Sequence, residues 1–202
     1  MKLTFTPPND GRTHTYCLNC SAETVDAIKI GKKHHFRCRS CSDVNPRALI
    51  IDPAINWWKD SQQEYWHEVA GVFIANPKGE FLFFDRLKSP FGLTVPAGHL
   101  DKGENRKKAA ERELFEETRI RISNANYLAT NDVRGDQCRR GSDVHRWHSF
   151  TAIAPLSTTV SVGDEGVRPV WLSLDQALAR ELTFATRHII TRHAQALRRV
   201  VR

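Results

Sequence analysis

Apolar and polar residues follow two different periods along this chain. Short runs rich in β-branched and aromatic residues, bounded by glycine, proline or asparagine, predict strands at Val69–Ala75, Glu80–Leu87, Tyr127–Val133, Val144–Ala154 and Arg168–Leu172. The turn cluster Asn76-Pro77-Lys78-Gly79 makes a hairpin of the first two. Gly92–Gly98 adds a strand with a glycine-rich exit, and the spacing then becomes helical. Asn105 can cap a helix whose stripe is Ala109, Ala110 and Leu114, with Lys107, Lys108 and Glu111 toward solvent and an end near Glu117 or Thr118. Ser173-Leu174-Asp175-Gln176 has the form of a capping box and starts a short helix. A last helix follows at Phe184–Val201, with Phe184, Ile189, Ile190, Leu197 and Val201 inward and Arg187, Arg192 and Arg198 outward. Strands interleaved with few helices place the main part of the chain in the α/β class.

The first fifty residues read differently. Cys17-Leu18-Asn19-Cys20 and Cys38-Arg39-Ser40-Cys41 stand seventeen residues apart, and between them Thr24–Ile30 and Lys33–Arg37 form two short strands turned at Gly31. Each CxxC presents two thiolates from one tight turn, so Cys17, Cys20, Cys38 and Cys41 complete a tetrahedron for Zn²⁺ in a small β zinc ribbon. Four cysteines leave no coordination position for water, which makes the site structural. Disulfides would call for a secretion signal, and a redox CxxC for a βαβ pattern, and neither is present. His34 and His35 are expected as exposed strand residues, and the solitary Cys138 as a small loop residue rather than a ligand or nucleophile. The expected division is residues 1–50 for the ribbon, 51–66 for a connector and 67–202 for the main domain with its C-terminal helix. Trp57, Trp58, Tyr65 and Trp66 either stack on bases or fill an interdomain core; the second suits large rings between packed modules.

Charge sharpens this division. The net charge of +7 is spread as +4 over residues 1–50, −2 over 51–179 and +5 over 180–202. Basic ends around a slightly acidic centre suit anionic ligands, or nucleic acid near the termini, and equally suit a solvated surface. MKLTFTPPNDGRT lacks the apolar core of a signal peptide, and no run approaches the length of a membrane span, so a cytoplasmic location without membrane contact is expected. The oligomeric state is left open by the sequence, a dimer being compatible with it.

The chemistry concentrates in Gly98–Ile120, GHLDKGENRKKAAERELFEETRI. Glu113, Glu116 and Glu117 stand three and four apart and so share one helix face, where like charges cost a few tenths of a kcal/mol per pair. A hard divalent cation such as Mg²⁺, which prefers carboxylate oxygens and brings phosphates with it, would offset that cost. Gly98, Glu104 and the run Arg112-Glu113-Leu114-Phe115-Glu116-Glu117-Thr118 resemble the signature of the Nudix hydrolases, which cleave nucleoside diphosphates linked to another moiety. The resemblance implies an α/β/α sandwich with a mixed sheet. It also implies Mg²⁺ or Mn²⁺ held by Glu113, Glu116, Glu117 and the Gly98 carbonyl, with Arg112 paired to Glu104. Arg119 departs from the pattern, since the family has glycine where the helix ends and the backbone turns left-handed.

The family takes its general base either from the box glutamates or from an acid on a later loop. Glu165, in VGDEGV beside Asp164, is the candidate outside the box, with an exposed turn acid as its plain alternative; His145 and His148 are weaker candidates. A zinc ribbon before such a domain resembles the order in NADH pyrophosphatases, as does Asn45-Pro46-Arg47 after the last CxxC. Their Ser-Gln-Pro-Trp-Pro-Phe-Pro-type motif is absent, so ADP-ribose or another nucleotide sugar is equally admissible. The alternative is a Nudix-fold regulator that senses a nucleotide and binds nucleic acid through its basic ribbon and Arg-rich C-terminal helix. Such sensors need not keep the catalytic acids, whereas this chain has all of them.

Overall fold

A computed structural model describes residues 1–201. The chain begins with β1 (His14–Tyr16), β2 (Val25–Ile30), β3 (Lys33–Cys38), β4 (Val44–Asn45) and β5 (Leu49–Ile51). Strands β2, β3 and β4 form a small antiparallel sheet, and β1 pairs with β5. Phe36, Ala48 and Ile50 are the buried side chains of one of its apolar clusters among the described residues, a core too small to hold a fold by itself.

The main sheet follows. Its strands are β6 (Trp57–Lys59), β7 (Tyr65–Ala75), β8 (Phe81–Arg86), β9 (Leu93–Thr94), β10 (Ala97–His99), then, after helix α1 (Arg106–Thr118), β11 (Asn126–Arg134), β12 (Val144–Ile153) and β13 (Gly166–Leu172). Helices α2 (Leu174–Leu178) and α3 (Phe184–Leu197) close the chain. The order is β11-β12-β7-β8-β13, with β12 parallel to β7 over its whole length and the other pairings antiparallel. The opposite edge of β7 is shared by three short strands in succession: β6 at Tyr65–His67, β10 at Val69–Gly71 and β8 at Ala75.

Because side chains alternate along β7, its two faces serve two layers. Ala70, Val72 and Ile74 meet α1 through Ala109, Ala110 and Leu114. Val69, Phe73 and Ala75 meet Leu174 and Ala177 of α2 and Ile189, Ile190 and Leu197 of α3. This is the expected α/β/α sandwich with a mixed sheet, preceded by the small cysteine-bearing β unit.

Local differences from the sequence reading have physical causes. The segment expected as a connector contributes β6 to the main sheet, where Trp58 stacks on Trp66 with ring centroids 5.7 Å apart. Trp57 meets Tyr65 edge-on at 5.5 Å, in a cluster with Leu3, Leu49 and Ile51 that joins the N-terminal unit to the sheet. The last helix stops at Leu197, after a distortion at His193, and Phe184 in its first turn is exposed beyond the edge of the sheet. Lys107 and Glu111 are half-buried, and so are His34 and His35. Among the described residues no helix is long and apolar enough to cross a membrane.

Candidate active site

Helix α1 is set by its ends. The Asn105 side chain accepts from the Lys107 and Lys108 amides at 3.0 and 3.3 Å, and Arg119 closes the helix at φ 61° and ψ 10°, its N–H reaching Phe115 O at 2.8 Å. With Ala109, Ala110 and Leu114 seated on the sheet, the adjoining face carries Glu113, Glu116 and Glu117 toward β10. Glu117 is buried, and its Oε2 accepts from the Ala97 amide at 2.8 Å. Glu113 lies so close beneath Gly98 that a Cβ there would fall inside its carboxylate, which is why glycine occupies that place. Glu116 is exposed at the mouth.

Arg112 ties these groups together. It makes a two-pronged pair with Glu104 (Nε–Oε1 3.0 Å, Nη2–Oε2 2.8 Å), donates to His99 O at 3.1 Å, and reaches Glu113 Oε1 at 2.7 Å and Glu116 Oε2 at 3.3 Å. Burial pushes the Glu113 carboxyl up to about 7 against the opposing pull of Arg112, and it raises Glu117 well above the ordinary carboxylate range. The half-buried Glu113 and the buried Glu117 form a donor set of hard oxygens, the kind that suits Mg²⁺ or Mn²⁺.

The acids line a cleft of about 350 Å³, within the range of small-molecule sites. Arg86, Lys88, Arg139 and Arg140 line the same cleft, as does Glu165, whose carboxylate is paired with Lys88. Burial would raise the Glu165 pKa, but Lys88 outweighs it and holds the carboxyl below its usual value. His148 is turned elsewhere, to Glu68 Oε1 at 2.6 Å and Thr130 at 2.8 Å. The sequence reading missed the basic side of the cleft, because Arg139 and Arg140 sit in the irregular loop between β11 and β12 and share no spacing with Arg86 and Lys88.

The family model for the NUDIX domain matches residues 66–193. The chain belongs to the NUDIX family. With the box acids of α1 also in place, it is a Nudix pyrophosphohydrolase. Among solved structures, the MutT protein from Methanosarcina mazei Go1 has 21% identity and a TM-score of 0.57, over 67% of this chain and 98% of that one. The NUDIX domain of Shewanella oneidensis NrtR, crystallised with ADP ribose, has 18% identity and a TM-score of 0.56, over 65% and 88%. The Nudix hydrolase RenU from M. smegmatis has 17% identity and a TM-score of 0.55, over 70% and 93%. At these identities the likeness is one of fold. No curated protein matches the chain.

In the N-terminal unit the four cysteines of the two CxxC pairs converge, with Cys17 Sγ 3.7 Å from Cys41 Sγ and Cys20 Sγ 3.6 Å from Cys38 Sγ, all unbridged. Sulfurs about 3.8 Å apart are what a tetrahedral ion with bonds of about 2.3 Å requires, so the cluster is consistent with zinc binding. A second convergence was not foreseen. Cys138, read as an ordinary loop residue, is buried with His67 and His145 beside the half-buried His99, and one donor atom from each lies within 4.8 Å of all the others.

Proposed function

We propose that this Nudix hydrolase cleaves the diphosphate linkage of a nucleoside diphosphate joined to another moiety, of the NADH, ADP-ribose or a related kind. The observation that carries the reading is the cleft itself, where the acidic face of α1 stands across from Arg86, Lys88, Arg139 and Arg140. An anionic substrate bridging the two sides answers both: guanidinium and ammonium groups take phosphate oxygens, and the acids take the cations that accompany a diphosphate. Glu113, Glu116, Glu117 and the Gly98 carbonyl would hold Mg²⁺ or Mn²⁺, which when bound neutralises phosphate oxygens and makes water a better nucleophile.

The chain's own groups do the rest. Arg112, fixed by Glu104, holds the acids in place and steadies the backbone at His99. Glu165 stays ionised beside Lys88 and can accept a proton from the attacking water. The ribbon, at residues 1–50, carries a structural Zn²⁺ and packs through residues 51–66 onto a catalytic domain at 67–202.

The regulator reading has less support, since two of the three named C-terminal arginines are engaged: Arg187 donates to Leu178 O and Arg180 O, and Arg198, just past α3, pairs with Asp175. The test is phosphate release, after phosphatase coupling, from a panel of NADH, ADP-ribose, diadenosine polyphosphates and nucleoside triphosphates with Mg²⁺ or Mn²⁺. Glu116→Gln with Glu117→Gln should lower turnover of the preferred substrate by about 100-fold or more, as loss of several kcal/mol of charge stabilisation implies. Equal rates for wild type and double variant across the panel would end the proposal, and salt-sensitive binding to DNA or RNA would then favour the regulator.

A further inference from the structure

We propose that His67, His99, Cys138 and His145 form a second transition-metal site, apart from the ribbon cysteines and built of residues other than the acids of α1, in the wall of the same cleft, and that it takes Zn²⁺. The strand register builds it. His145 is the partner of His67 across the parallel β12–β7 pair, and His99 is the partner of Val69 across β10–β7, two residues further along the same face. Three imidazoles from three strands therefore project to one side, and the loop between β11 and β12 brings Cys138 over them.

The distances suit an ion. Bonds of about 2.0–2.1 Å to nitrogen and about 2.3 Å to sulfur put tetrahedral donors about 3.4 Å apart for two nitrogens and about 3.6 Å for nitrogen and sulfur. His67 Nδ1 lies 3.0 Å from His99 Nε2 and 3.6 Å from Cys138 Sγ. A shared proton between His67 and His99 would explain the first distance, but it would leave the rest of the cluster unexplained. Both ring nitrogens of His145 are buried without a hydrogen-bond partner among the described residues, which is costly for imidazole and is relieved where one of them binds an ion.

The surroundings complete the assignment. Asp136 Oδ2, buried and fixed by Trp147 Nε1 at 2.7 Å, lies 3.1 Å from His145 Nδ1, at ion-pair distance though not aligned as a hydrogen bond. That leaves Nε2 as the His145 donor, with Asp136 in the place of the carboxylate that orients a metal-binding histidine. Cys138 as thiolate and Asp136 as carboxylate balance a dication. Three nitrogens and one sulfur form a borderline donor set that selects Zn²⁺ over Mg²⁺. Four protein donors close the shell, so the ion acts by position: it ties β7, β10, β12 and the Cys138 loop together behind His99, the residue that follows Gly98 and offers its carbonyl to Arg112.

The ion count stands apart from the hydrolase reading. The full chain, purified without chelator, freed of any affinity tag and equilibrated with excess Mg²⁺ to clear the α1 acids, should hold two zinc ions. Cys17→Ser should leave one and lose the fold of the first fifty residues, while His145→Ala or Cys138→Ser should leave the other with far-ultraviolet circular dichroism unchanged. With all four ribbon cysteines changed to Ser, loading with Co²⁺ should give a thiolate charge-transfer band that a further Cys138→Ser removes. Should His145→Ala and Cys138→Ser fail to fold, zinc X-ray absorption of the wild type decides, with about five sulfurs and three nitrogens for every two ions expected. A single ion with an all-sulfur shell, lost completely in Cys17→Ser, would overturn the site.

Discussion

At Gly98 one hydrogen atom decides where a carboxylate sits. The backbone there would accept alanine, since its φ lies outside the left-handed region, but the added methyl would occupy the space of the Glu113 carboxylate. That carboxylate is the far end of a flexible side chain and can swing away at little cost. Gly98→Ala should therefore keep the urea midpoint near that of wild type while lowering turnover about 10-fold or more and weakening Mg²⁺ dependence. A fall in stability with unchanged turnover would mean that Glu113 does not need this contact. At this scale the sequence was readable wherever the chemistry is local. The acids of α1 declare themselves by helical spacing, and the cysteines by paired CxxC. His67, His99 and Cys138 carry no such mark: the first two are 32 residues apart and the last is 71 from the first, and only strand register unites them. An isolated cysteine in a polar loop looks the same in a sequence whether or not three imidazoles wait beneath it.

Among the elements, α1 was legible from end to end because both ends depend on neighbours in sequence. Asn105 caps it, and Arg119 takes the left-handed conformation expected where the family has glycine. A side chain there costs roughly 1 kcal/mol, of which a little is returned by the Arg119 guanidinium lying 5.4 Å from the Phe115 ring. Arg119→Gly should raise stability by about 0.5–1 kcal/mol in urea unfolding, and a lowered midpoint would show that the contact with Phe115 outweighs the strain. The end of α3 was not legible, since apolar residues continue to Val201 while the helix stops at Leu197. Nor was the division of one β7 edge among three partners, because strand pairing depends on distant segments that leave no imprint on the run itself.

For the whole molecule, the seam between ribbon and sandwich was foreseen only as aromatic rings. Trp57 and Tyr65 are there, but much of the seam is polar. Arg47 donates to Cys138 O at 2.9 Å and Ser142 O at 3.1 Å, the Ala48 and Ile50 amides donate to Arg139 O and Arg140 O, and Asp52 pairs with Arg140. Burial alone would raise the Asp52 carboxyl, but the Arg140 guanidinium and the Ala54 amide outweigh it and hold its pKa below the ordinary carboxylate value. A depressed folded value means the contribution is complete above the unfolded carboxylate pKa and is lost as pH falls through the folded one. Between pH 5 and about pH 2.5, wild type should thus lose more of its urea midpoint than Asp52→Asn, while near neutrality the variant should be the weaker. Parallel curves would remove Asp52 from the seam's energetics.

That seam also sets an order of assembly. The ribbon's pairings lie within the first fifty or so residues, so it can form while the rest of the chain is still being made. Its exit strand then has to wait, because the carbonyls that receive Ala48 and Ile50 belong to Arg139 and Arg140, and the contacts of Arg47 span 91 residues and more. Contacts so distant in sequence form late, after the local ones. Docking of the ribbon and the final shape of the loop that carries Cys138 are therefore one event, since each supplies the other's hydrogen-bond partners.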